Sequence, residues 1–150
     1  MTRMARLAIA GMLLMALGAL MPARALAGGV ASAGSPARIS VAVPAAARGA
    51  GVAMLEIGIA SSHRAAGGHL GAAVRLRWGG RSVELGRISV AAAGERSAQR
   101  YQFNVAPALR RLEFTGGSAE VEVELIDRGG GGPLASGAAL QVGPARIVTR

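Results

Sequence analysis

The 150-residue chain contains no cysteine, and all 17 of its basic residues are arginine, so lysine is absent too. Without cysteine there can be no disulfide, no thiolate nucleophile and no thioether-linked lipid. Aromatic residues make up only 3% of the chain, as Trp78, Tyr101, Phe103 and Phe114. A nucleic-acid surface would need clustered basic residues interleaved with aromatics. Here the arginines beyond the first segment are spread from Arg38 to Arg150. Histidine occurs twice, at His63 and His69, too few for a histidine-built metal centre of any size. Acids are scarce as well: 8 against 17 arginines, a formal charge of +9. That excess favours solubility or an acidic partner surface.

The first 27 residues, MTRMARLAIAGMLLMALGALMPARALA, have the three parts of an export signal. Arg3 and Arg6 precede an apolar run from Leu7 to Met21, and Ala25-Leu26-Ala27 forms a small-residue cleavage site. The apolar run is 15 residues long, short of the roughly 20 that a membrane-spanning helix needs. The pattern predicts cleavage after Ala27 and a periplasmic or secreted product with no membrane span. Cleavage removes 27 of 150 residues and leaves 123. It takes Arg3, Arg6 and Arg24 with it, leaving 14 arginines against 8 acids, a formal +6. A chain of this length suits one domain that buries roughly two-thirds of its unfolded surface.

Residues 28–36 are rich in Gly, Ala and Ser and predict a flexible lead-in, with a single domain over 37–150. There, period-two alternation runs almost throughout. Ile39, Val41 and Val43 share one face before Pro44 ends the run. Val52 to Ala60 is apolar enough for a central strand, and Val74 to Trp78 alternates cleanly. Gly79-Gly80 is a hairpin signal, with Ser82 to Ala91 as the returning strand. In AEVEVELI, Val121, Val123 and Leu125 should point inward and Glu120, Glu122 and Glu124 outward, paired across strands with arginines such as Arg75 and Arg77. Gly143-Pro144 interrupts the last run, 139–149, and signals a bulge or an edge. Six or seven short strands with one polar face each predict an all-β fold: an antiparallel β-sandwich, jelly-roll-like, with one short helical turn.

That turn lies in RYQFNVAPALRRL, Arg100 to Leu112. Tyr101, Phe103 and Val105 alternate as a strand, Pro107 suits a first helical turn, and Leu109 and Leu112 lie three apart on one face. The helix is expected to plug one end of the sandwich. No nucleophile elbow, phosphate loop or triad stands out, so the chain reads as non-enzymatic. The soft or imidazole metal ligands beyond the signal are His63, His69 and Met54, the candidate ligands of a small copper carrier.

The same thirteen residues resemble the aromatic-F-D-V…A-L-x-x-L segment of the C-terminal, KFDV-type β domain of tyrosinases and polyphenol oxidases. Phe103 and Val105 match its Phe and Val, and Leu109 and Leu112 its helix leucines. The downstream order of elements is similar too: Val121, Val123 and Leu125 in a strand, a Gly/Pro-rich loop, then Leu140-x-Val142-Gly143 leading to Ile147. Upstream, Leu85-Gly86-x-Ile88-x-Val90 resembles the preceding strand. Asn104 stands where the family has Asp, and Ala106-Pro107 replaces a polar capping pair, so the first helical turn loses its side-chain cap. Ile88 and Val90 stand where aromatics are common. In the family this domain covers the entrance to a binuclear copper oxidase built from six histidines. The resemblance therefore implies a stand-alone accessory domain, without cofactor of its own, that docks on a separately encoded copper oxidase to shield it or help it mature. No position matches the family's pocket plug. The other readings are an exported structural or interaction β-sandwich with no enzyme partner, and the copper carrier.

Overall fold

The computed structural model describes residues 28–61, 70–90, 98–129, 134 and 136–150. Its eight strands are β1 (Gly29–Ser32), β2 (Ala37–Ala42), β3 (Ala53–Ser61), β4 (Leu70–Trp78), β5 (Arg81–Ser89), β6 (Gln99–Asn104), β7 (Ser118–Asp127) and β8 (Ala139–Thr149). Two short helices join them, α1 (Ala45–Gly49) and α2 (Ala106–Arg111).

The strands form two four-stranded sheets, one in the order β1-β8-β3-β6 and the other β2-β7-β4-β5. Every pairing is antiparallel. Strand 1 pairs with 8, 2 with 7, 3 with 6 and 4 with 5. That nesting is a long hairpin rolled into a sandwich, the jelly-roll arrangement. The all-β expectation holds, with two differences in the count. The 28–36 segment, expected as flexible, supplies β1, whose Ala31 is fully buried and which pairs with β8 from Gly29 to Ser32. Helix α1 adds a second turn where only one was expected; at five residues it is too short to show a helical period in sequence.

Alternation places the core. Ile39, Val41 and Val43 in and after β2, Leu55, Ile57 and Ile59 in β3, Val74 and Leu76 in β4, and Val121, Val123 and Leu125 in β7 are all buried between the sheets. β3 is central, as its apolar run predicted, with β8 and β6 on either side. Gly79 and Gly80 both adopt positive φ, 56° and 76°, and join β4 to β5 by the two-residue turn their sequence signals. Opposite Ile57-Gly58-Ile59, strand β8 spends an extra residue, because Ile57 faces Ala145 while Ile59 faces Val142. The predicted interruption at Gly143-Pro144 is thus a bulge in an interior strand, where proline's missing N–H leaves no ladder bond unmade. Among the described residues no helix is long and apolar enough to cross a membrane.

Glu120, Glu122 and Glu124, expected to be exposed on their outward face, are all less exposed than that, Glu122 most of all. Glu120 and Glu124 are half-buried, but Glu122 is only 7% exposed. Arg38 of β2 is in register with Glu122 on one side and Arg75 of β4 on the other. The arginine side chains lie over the central glutamate and cover it, so an outward direction on an interior strand does not secure contact with water.

Candidate functional site

The residues that carried the family resemblance are brought together, and they are architectural. On β6, Tyr101 and Phe103 turn inward, half-buried against the core. The Tyr101 hydroxyl donates to the carbonyl of Ser89 at 3.0 Å, and burial raises its pKa above the ordinary 10.0. Phe103 lies over Gly86 of β5, where a Cβ would stand 3.2 Å from the ring. β5 and β6 are edge strands of opposite sheets, so these two rings fill the gap between them.

Val105 is not in the strand. It is fully buried at φ −91° and ψ −9°, in the N-cap position of α2. Leu109 and Leu112 are buried as predicted, and Phe114 meets Trp78 edge to face with centroids 5.2 Å apart. The end of the sandwich is closed by this helix as expected. The missing cap is partly replaced from upstream: Asn104 Oδ1 accepts from the backbone N–H of Ala106 at 3.2 Å and of Ala53 at 3.4 Å. An acceptor at 104 is what both N–H groups require.

Met54 is half-buried on β3, seven residues before Ser61, which is about 23 Å of strand. His63 and His69 come after Ser61 and lie outside the described residues. A three-ligand site that includes Met54 would have to bridge that separation. Among the described residues, no three His, Cys, Asp or Glu side chains are grouped to hold a metal ion.

The three glutamates of β7 form an ion-pair lattice with arginines from both neighbouring strands. Glu122 Oε2 accepts from Arg77 Nη1 at 2.5 Å and Arg38 Nε at 3.0 Å, and Arg75 Nη1 lies 3.6 Å from Oε1. Arg75 also pairs with Glu124, and Arg38 and Arg77 with Glu120. Burial pushes the Glu122 carboxyl up, but the hydrogen bonds from Arg77 and Arg38 outweigh it and the net shift is downward. Three guanidinium groups surround the Glu122 carboxylate, and the lattice is cross-strand stabilisation of the kind the alternation predicted.

A concave feature lies on the outer face of the other sheet. A groove of about 500 Å³ is lined by Glu56, Gly58, Ala98, Arg100, Pro144 and Arg146, among others. Its origin is local. Gly58 has no side chain at a position facing Arg100 on β6 and the Gly143-Pro144 bulge on β8. The missing Cβ leaves a gap across three strands, floored by small residues. To one side runs the row Gln102, Glu56 and Arg146, in which Glu56 Oε2 accepts from Arg146 Nε at 2.7 Å and Oε1 from Gln102 Nε2 at 3.0 Å. The Arg146 hydrogen bond is the main cause that holds the Glu56 carboxyl below its ordinary 4.5. Among the described residues the groove holds two cations, one hydrogen-bonded anion and no nucleophile, an arrangement suited to binding rather than to bond-making.

Sequence reasoning missed the groove because its parts, Glu56, Arg100 and Arg146, are far apart along the chain. Two signals were visible: a glycine inside the apolar run LEIGIA, and Gly143-Pro144. No family model matches the chain, and no curated protein matches it.

Proposed function

We propose that this chain is a non-catalytic, exported accessory domain that binds a separately encoded copper oxidase of the tyrosinase type, shielding it or helping it mature. The observation that carries the reading is the folding of residues 99–112. An edge strand bearing Tyr101 and Phe103 runs into a short helix whose Leu109 and Leu112 are buried, the element that the resemblance implies. The resemblance rests on those residues and on the order of the strands around them, with no family match beside it. A basic chain with a rimmed groove and no acid, base and nucleophile set among the described residues is consistent with a role exercised by contact.

One observation favours a second reading, an exported interaction sandwich with no enzyme partner. Tyr101 and Phe103 are turned into the gap between β5 and β6, where they serve this fold irrespective of any partner.

The test is capture of binding proteins on the immobilised protein from the exported fraction of its source, with a diphenol oxidase assay of the captured material with and without added protein. Recovery of a copper oxidase whose turnover changes on addition is the expected result. Capture of no such enzyme, from a fraction shown to contain one, overturns the cap reading.

A further inference from the structure

We propose that the groove over Gly58 binds an extended acidic segment of a partner protein, with Arg100 receiving a carboxylate. Arg100 stands at the rim, exposed, and makes no hydrogen bond or ion pair among the described residues. Glu56, whose carboxyl Arg100 also holds down through space, gives its hydrogen bonds to other groups. Its Oε2 is held by Nε and Nη2 of Arg146, at 2.7 and 2.6 Å, and its Oε1 by Gln102. Arg146 is thereby oriented along the groove wall while its Nη1 is not engaged by any described residue. One satisfied acid between two arginines leaves a net positive site whose open guanidinium presents a planar fork, the geometry that takes a carboxylate through two parallel hydrogen bonds.

The floor favours a peptide. Gly58, Ala98 and Gly143 carry at most one side-chain carbon each, so a backbone can lie close to the sheet. Three strands at about 4.8 Å spacing make the groove roughly 10 Å across, the span of about three extended residues. Among the described residues no aromatic side chain lines it, so they offer no stacking surface for a base or a sugar ring. The chain's arginine excess supplies the long-range attraction that would bring an acidic partner to it.

This inference stands on the groove and not on the copper oxidase reading. A protein that binds acidic peptide but captures no oxidase keeps the groove and loses the cap.

The experiment is a fluorescence anisotropy titration of protein purified after expression of the full chain. The probes are a fluorescein-labelled octapeptide of alternating glutamate and glycine, and its counterpart with glutamine in place of glutamate. Three variants accompany the unaltered protein: Arg100→Gln, Gly58→Ala and Arg110→Gln. Gly58→Ala fills the floor without straining the fold, because the new Cβ would make an ordinary 3.6 Å contact with Ala98. Arg110 is exposed on α2, away from the groove lining, and reports non-specific charge attraction. The expected result is saturable binding of the glutamate peptide, weaker by roughly tenfold in Arg100→Gln, as loss of a charge-assisted hydrogen bond implies. Gly58→Ala should weaken it as well, and Arg110→Gln should not. Absence of binding, equal affinity for the glutamine peptide, equal losses in Arg100→Gln and Arg110→Gln, or a folded Arg100→Gln that binds as before would each overturn the proposal.

Discussion

Glu122 sits among three guanidinium groups with its side chain 9% exposed, a position in which removing the carboxylate leaves cations crowded together. Arg38, Arg75 and Arg77 are themselves partly solvated and keep Glu120 or Glu124 as partners. The cost should therefore fall below that of breaking an isolated buried pair. Glu122→Gln is expected to lose roughly 2 kcal/mol in urea unfolding at pH 7. The pH dependence comes from the downward shift of the carboxyl. Because the unfolded state takes up the proton first, the ion pairs' contribution is complete above the ordinary value of 4.5 and is lost as pH falls through the lower folded value. The gap between the two proteins should narrow below about pH 4.5; a gap unchanged at pH 3 would show that the charge is not what matters. Alternation alone put Glu120, Glu122 and Glu124 on one face. Which of the three would be covered depended on Arg38, 84 residues away, and Arg77, 45 away.

At the scale of the element, α2 shows a start and a stop of unequal quality. Its start takes an acceptor from Asn104 and has no side-chain bond from its own N-cap, Val105. Its end is a complete left-handed cap. Phe114 N–H donates to the Leu109 carbonyl and Glu113 N–H to that of Arg110, each at 3.0 Å, while Leu109 and Phe114 are both buried. Glu113 occupies the left-handed position at φ 55° with a side chain, where glycine is the usual choice. Its ion pair with Arg81 is 82% exposed on the glutamate side and adds little. Glu113→Gly is thus expected to stabilise the protein by about 1 kcal/mol, read as a rise in the urea midpoint at unchanged slope. A lower midpoint would show that the ion pair outweighs the backbone strain. Pro107 and the spacing of Leu109 and Leu112 made this helix legible in sequence. α1 and β1 were not legible, since five and four residues of mostly small side chains carry no measurable period.

For the whole molecule, the innermost of the nested pairs, β4 and β5, meets through a tight turn, and each further pair encloses a longer stretch of chain. β1 and β8 join nearly the two ends of the described fold. Loop closure must therefore precede most of the stabilising contacts. Refolding from urea should be slow for a chain of this size, in the millisecond to second range typical of non-local β topologies. A microsecond phase carrying the full amplitude would contradict that expectation.

Local pattern was enough to establish the all-β class, the Gly79-Gly80 hairpin, the central place of β3, the inward residues of β2 and β7, and the short helix after Asn104, because period and turn chemistry are properties of neighbouring residues. The strand order, the burial of Glu122 and the groove over Gly58 were decided by tertiary structure alone. Each arises where strands distant in the chain lie side by side: a missing Cβ on β3 becomes a groove only beside Arg100 of β6 and the bulge of β8, and a glutamate becomes buried only between arginines of two other strands.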